Sequence, residues 1–313
     1  MNRKPLLTIT EDDAKTYERD GVVCLRKVFD RDWIDLLLPE AERVLEDRIA
    51  CGLIPNAGIK NMSRVMPGFR KLVFEGPAAE AAGRVMKSKE IRFFYDEIFA
   101  KNVGGTYDTY WHTDRAGWPV SGQMVPSFWF PLTPVSKTSC VEILAGSHKD
   151  ETLYWNTTRN SLKMQRPKER PLFPDYELRR DDPDLKFLAW DMDPGDALVI
   201  HPWAFHYGRS VEGVRRVAVS IRFFGDDIRW DPRPECVNHA GVSFDEMVPG
   251  QKPGGSVFPL LWSEDGRRDG DANFPKGFAT SWNPDPETYR TDTKVGGGAF
   301  HDPNYGDRLK QRA

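Results

Sequence analysis

Long hydrophobic runs are missing from this chain: no segment approaches the roughly 18 apolar residues of a membrane-spanning helix. The opening Met1-Asn2-Arg3-Lys4-Pro5 also lacks the apolar stretch of a signal peptide. Cysteine is scarce, with Cys24, Cys51, Cys140 and Cys236 scattered and no CxxC pair. That spacing disfavours a disulfide scaffold and suits a reducing compartment. Charge of one sign is lacking too. The 44 Lys and Arg against 47 Asp and Glu leave a net charge of -3, so no basic footprint invites nucleic acid. There is no internal repeat. The expectation is a soluble, cytoplasmic protein without a nucleic-acid or membrane partner, with oligomerisation left open.

Hydrophobic residues make up 39% of the chain, ample for a core, so residues 1–313 are expected to form one domain. About residues 1–90 read as a mostly helical support. Thr10 caps Glu11-Asp12-Asp13, Gly21 stops that helix, and a longer helix opens at Asp30-Arg31-Asp32. Val22 to Leu25 is a short strand between them, and Ala78 to Met86 is a further helix.

From Ile91 the texture changes to short β runs: Ile91–Phe94, Thr106–His112, Ser127–Leu132, Val141–Leu144, Asp196–Ile200 and Val214–Phe224. Turn residues separate them, among them Gly104-Gly105, Pro134, Gly146-Ser147 and Pro194-Gly195. The fold class expected is mainly β with α: a jelly roll over about residues 91–230, with helices packed on one sheet. Residues 150–190 are a polar excursion, and about residues 231–313 an irregular extension.

Two stretches carry the chemistry. In Thr109-Tyr110-Trp111-His112-Thr113-Asp114, His112 and Asp114 stand at i and i+2 of a strand and share a face. A second H-x-D, His148-Lys149-Asp150, follows a strand that has already ended in a turn, a poorer platform for ligands. The third ligand is His201 or His206, from a strand across the barrel. Two imidazoles and one carboxylate leave open positions on a metal, as a non-haem Fe(II) oxygenase needs. The competing reading makes both late histidines structural. Arg216, ten residues past His206, weighs against it. On an alternating strand Arg216, Ala218 and Ser220 face one side, and an inward guanidinium needs an anion. Arg215 is then the solvated neighbour, and a one-residue slip would exchange the two.

These residues resemble the phytanoyl-CoA dioxygenase family of Fe(II)/2-oxoglutarate-dependent oxygenases over about residues 12–225. Ile91 to Lys101, Ser127-Phe128-Trp129-Phe130-Pro131-Leu132, Val141 to Lys149 with its G-S-H-K, and Pro194-Gly195-Asp196 through Ser210 fall in the family's order. The resemblance implies that His112, Asp114 and His206 hold Fe(II), and that O₂ and 2-oxoglutarate are co-substrates. It places Arg216 on the distal carboxylate of 2-oxoglutarate, with Lys101, Thr109, Trp129 and Ser210 lining that pocket. Tyr207 and Arg209 depart from the family's His-Gly-Ser run. The presence of Asp114 favours hydroxylation or another oxidative outcome over halogenation.

Trp118, and with it Arg115, is the candidate for reaching a small-molecule substrate. Trp111, Trp155 and Trp203 are further aromatics that would line a pocket or simply pack. The stretch Arg159 to Arg170 reads as a solvated loop balanced by downstream acids. Overhanging the barrel mouth, it would instead guide an anionic substrate. A Zn(II) hydrolase and a non-catalytic ligand sensor are the rival readings. The first has no use for an inward Arg216, and the second no reason to keep three ligands.

Overall fold

The computed structural model describes residues 1–50, 58–101, 108–155, 168–233, 236, 239 and 247–276. Helix α1 (Glu11–Asp20) starts where the Thr10 hydroxyl accepts from the Asp13 amide at 3.2 Å and Asp13 reaches back to the Thr10 amide at 2.8 Å. It stops at Gly21, whose φ of 78° only glycine adopts without strain. Strand β1 (Val22–Leu25), helix α2 (Arg31–Ala50), β2 (Ile59–Lys60), α3 (Pro67–Glu75) and α4 (Ala78–Met86) follow. The rest is β: β3 (Glu90–Lys101), β4 (Thr109–His112), β5 (Val120–Ser121), β6 (Ser127–Pro131), β7 (Val141–Leu144) and β8 (Phe187–Leu188). Then come β9 (Ala197–Ile200), β10 (His206–Gly208), β11 (Arg216–Phe224), β12 (Arg229–Trp230) and β13 (Leu260–Ser263).

The large sheet runs β1-β9-β6-β11-β3-β13, with β2 also paired to β3, and the small sheet runs β4-β10-β7-β8. All these pairings are antiparallel. Two packed antiparallel sheets make the cupin-like jelly roll, and the alternation of β11 shows how it is assembled. Val217, Val219, Ile221 and Phe223 join Trp33, Leu37, Phe69 and Phe128 in the core under the helices. Ala218 instead joins Trp129, Leu198 and Ile143 between the sheets. Burying each large side chain of the helix–sheet seam stabilises it by roughly 1.5–3 kcal/mol. Even-numbered residues of β11 therefore face the inter-sheet space, where a site can be built.

Three expectations change. The run Ile91–Phe94 extends to a strand of 12 residues, because the acids that interrupt its apolar pattern are both satisfied in place. Asp96 accepts from the Ser63 hydroxyl at 2.5 Å, and Glu97 accepts from Arg222 at 3.1 Å. The extension after Asp231 is not wholly irregular: Leu260–Ser263 adds β13 to the edge of β3. The later part of the polar excursion lies on the outer face of the small sheet. There Phe173 and Tyr176 pack with Trp111, Phe205 and Tyr207. Arg159, Lys163, Arg166, Cys51, Gly104 and Gly105 lie outside the described residues. No described helix is long and apolar enough to cross a membrane.

Candidate functional site

The candidate metal ligands sit on two neighbouring strands of the small sheet, not on strands across the barrel: His206 of β10 is the register partner of His112 on β4. Their rings lie 4.1 Å apart. β4 ends at His112, but Thr113 stays extended (φ -123°, ψ 139°) before a 3-10 turn begins at Asp114. The i, i+2 side chains thus still share a face. Asp114 Oδ1 is 3.8 Å from His112 Nε2 and 4.0 Å from His206 Nε2. All three ligand atoms fall within 4.8 Å of one another.

The outer atoms of the ligands are spoken for. His112 Nδ1 donates to the Tyr110 carbonyl at 2.7 Å and His206 Nδ1 to the Ala204 carbonyl at 2.9 Å. A carbonyl only accepts, so both lone pairs are left on Nε2. Asp114 Oδ2 accepts from the Ser127 hydroxyl at 2.9 Å and faces Arg222 Nη2 at 3.8 Å, which leaves Oδ1 toward the histidines. Burial and the neighbouring His206 push His112 down to about 3. Burial opposes ionisation of Asp114, but His206, Arg222 and Ser127 outweigh it and hold the carboxyl at about 2. Neutral imidazoles and a carboxylate are the forms that bind a divalent cation, so the residues present fit one.

Arg216 points into the same inter-sheet space, 3% exposed, with Cζ 5.8 Å over the Trp129 ring and Nη1 donating to the Ser139 carbonyl. Its Nε has no partner, and burial pushes it down to about 10. Lys101 is its register partner on β3 and donates to Thr109 Oγ1 at 2.9 Å; burial and Arg216 hold it well below the usual lysine range. The buried Arg216 guanidinium, with the Lys101 amine on the adjacent strand and Asp108 in electrostatic reach of both, can receive an anion. Gly208 keeps it open, since a Cβ there would stand 3.2 Å from Thr109 and 3.8 Å from Arg216. Arg215 points outward and pairs with Glu42 on α2.

The remaining candidates make contacts of their own. The Ser210 amide donates at 2.7 Å to Oδ1 of Asp108, a carboxylate that acts electrostatically on both Arg216 and Lys101. Trp118 is 1% exposed in the core, donating to the Tyr95 hydroxyl at 3.2 Å, and so supports that tyrosine. Arg115 lies 4.8 Å over the Trp203 ring. Trp111 faces the outer side of the small sheet and donates to Glu177. His148 meets the Glu18 carbonyl, and Asp150 caps its own turn through Thr152 and Tyr154.

Sequence reasoning missed Arg222, Glu97 and Ser127. Arg222 stands three pleats along β11 from Arg216, on the same face, so its parity held the signal. Its Nη1 donates to Glu97 at 3.1 Å and its Cζ lies 4.9 Å over Tyr95. The His239 ring stacks on that tyrosine at 5.0 Å.

His201 stands apart from the three grouped side chains, half-buried between α1 and the turn of His148. Its Nδ1 accepts from the Trp203 amide at 3.2 Å, and its ring lies 5.6 Å from Tyr17 and 4.9 Å from His148. Burial, then His148, push it down to about 3. The folded value lies below the ordinary one near 6.5, so the neutral form stabilises the fold in full above about pH 6.5. That stability is lost as pH falls toward 3, by up to about 1.4 kcal/mol per pH unit. His201→Gln is expected to flatten that acid dependence of the iron-free protein in urea titrations from pH 7 to 4. It should leave metal binding intact; loss of metal would make His201 a ligand after all.

The model of the phytanoyl-CoA dioxygenase family matches residues 17–216. Among solved structures, the non-haem α-ketoglutarate-dependent carbocyclase SnoK from nogalamycin biosynthesis is 19% identical. The match covers 84% of this chain and 100% of that one at a TM-score of 0.63. The epimerase SnoN, solved with Fe³⁺, α-ketoglutarate and nogalamycin RO, is 20% identical over 80% and 98% of the two chains, TM-score 0.62. EctD from S. alaskensis, solved with 2-oxoglutarate and 5-hydroxyectoine, is 15% identical over 88% and 95%, TM-score 0.57. At such identity these likenesses concern the fold. No curated protein matches the chain.

Proposed function

The chain belongs to the phytanoyl-CoA dioxygenase family of non-haem Fe(II)/2-oxoglutarate-dependent oxygenases, and from that membership we propose that it hydroxylates a C–H bond of a small organic molecule. The balance is R–H, O₂ and 2-oxoglutarate giving R–OH, succinate and CO₂. One observation carries the reading: a His112–Asp114–His206 ligand set shares the inter-sheet space with the buried Arg216 and Lys101. A hydrolase that activates one water has no use for that second, cationic half.

His112 Nε2, His206 Nε2 and Asp114 Oδ1 would hold Fe(II), which supplies O₂ activation at the positions that three protein ligands leave open. The chain's own residues do the rest. The Tyr110 and Ala204 carbonyls fix the imidazole tautomers. Ser127 and Arg222 hold the outer oxygen of Asp114 and so aim the inner one. Arg216 receives the distal carboxylate of 2-oxoglutarate, with Lys101 and Thr109 beside it and Trp129 as the floor. Burial of this pocket keeps water from competing for the guanidinium.

The test is succinate formation by protein loaded anaerobically with Fe(II) and then given 2-oxoglutarate and air. Slow succinate release that requires iron and is absent from His112→Ala supports the reading. Failure to bind 2-oxoglutarate in the presence of metal, with no turnover, would sink it.

A further inference from the structure

On the helical face of the large sheet, Arg64 holds a buried guanidinium with two N–H groups unpaired among the described residues. It closes the 3-10 turn Met62–Arg64 before α3, is 2% exposed, and its Nε and Nη2 have no hydrogen-bond partner. Burial pulls its pKa down, and the acid that opposes this is Asp96. That carboxylate is already engaged, accepting from the Ser63 hydroxyl at 2.5 Å and the Ser63 amide at 3.2 Å. A buried guanidinium in this state is costly unless an anion joins it.

Space for one exists. Arg64 lines an open cleft of about 860 Å³ between α3 and the segment after β13. Arg70 of α3 lines it too, held with Nη2 on the Arg64 carbonyl at 3.2 Å and Cζ 5.5 Å over the Phe274 ring. Its Nη1 is buried and has no partner. Of the acids lining the cleft, Glu75 is taken by Arg3 at 2.7 Å and Lys71 at 2.6 Å, and Asp269 accepts from the Leu260 amide at 2.7 Å. Six cations line the cleft against three acids, an excess of three positive charges. Asp96 and Glu97 are consecutive on β3 and point to opposite faces, the first toward Ser63 and the second toward Arg222. The cleft therefore lies across the large sheet from the metal centre.

We propose that this cleft is a second ligand site, for a phosphate ester. The guanidiniums of Arg64 and Arg70 fork the phosphoryl oxygens, and the organic part lies against Phe74 and Val65, which also line the cleft. The volume suits a small metabolite, within the usual range of roughly 300–1,000 Å³.

The experiment is calorimetric titration of the metal-free, full-length protein with phenyl phosphate, inorganic phosphate and benzoate. Phenyl phosphate is expected to bind once per chain, roughly tenfold or more tighter than the other two. Arg64→Met and Arg70→Met are each expected to weaken it by roughly tenfold or more, whereas Arg216→Met leaves it unchanged. Without ligand, the Tm of Arg64→Met should match or exceed that of the parent, since an uncompensated charge has been removed. If Arg64→Met does not fold, Arg64→Lys and Arg70→Met carry the test, with partial and strong loss expected. Inorganic phosphate binding as tightly as phenyl phosphate overturns the ester assignment. No binding at all, binding that survives Arg64→Met or Arg70→Met, or binding lost in Arg216→Met overturns the site.

Discussion

Asp114→Ala protein is expected to bind Fe(II) at least roughly 100-fold more weakly than the parent and to form succinate only at background. The loss exceeds one ligand bond. With the carboxylate gone, the cation would meet two neutral imidazoles and the guanidinium of Arg222, whose Nη2 stands 3.8 Å from the missing oxygen. The site then changes from a charge match to a repulsion. Equilibrium dialysis against Fe(II) or Mn(II) checks it directly, apart from turnover. Ser127→Ala is the graded companion: it removes only the 2.9 Å hydrogen bond that turns Oδ2 away from the metal. Outer-shell losses of this kind cost about 10–100-fold in metal affinity or activity. Stoichiometric iron in Asp114→Ala would remove that residue from the ligand set.

Arg216→Met should separate the two halves of the site. Iron content is expected to stay at the parent level, while the 2-oxoglutarate concentration for half-maximal turnover rises on the order of 100-fold. Truncating one partner of a buried charge pair costs about 2–5 kcal/mol, much of it from leaving the other charge alone. Here that other charge is the distal carboxylate, left with Lys101. Lys101 is itself held well below the usual lysine range by burial and by Arg216. Removing Arg216 frees Lys101 to protonate more readily, so part of the lost affinity should return as pH is lowered. Arg215→Met, which cuts only an outward pair with Glu42, is the control expected to change neither value. Equal effects from Arg215→Met and Arg216→Met would mean that β11 is out of register with this reading.

Much of this site was legible in the chain because it depends on local geometry. A strand repeats every two residues, so the H-x-D spacing puts His112 and Asp114 on one face as long as Thr113 between them stays extended, which it does. The same period separated Arg216 from Arg215, since Val217, Val219, Ile221 and Phe223 had to meet an apolar layer. Thr10 and Gly21 marked the two ends of α1 through a hydroxyl cap and a positive φ. The second H-x-D was set aside because Gly146-Ser147 broke its strand; Asp150 does cap its own turn, while His148 reaches the Glu18 carbonyl of α1.

What remained depends on partners distant in sequence, and periodicity is blind to them. His201 and His206 were separated only when β10 paired with β4 and left His201 against Tyr17 and His148. β3 could run through Asp96 and Glu97 only because Ser63 and Arg222 arrive from elsewhere to satisfy them. Arg222 and Ser127 became part of the metal centre through the same convergence. By itself, then, the sequence determined which side chains share a face, a property of the backbone period. Only the tertiary structure decided which faces meet and which buried charges find partners, because both are set by contacts that fold formation alone creates.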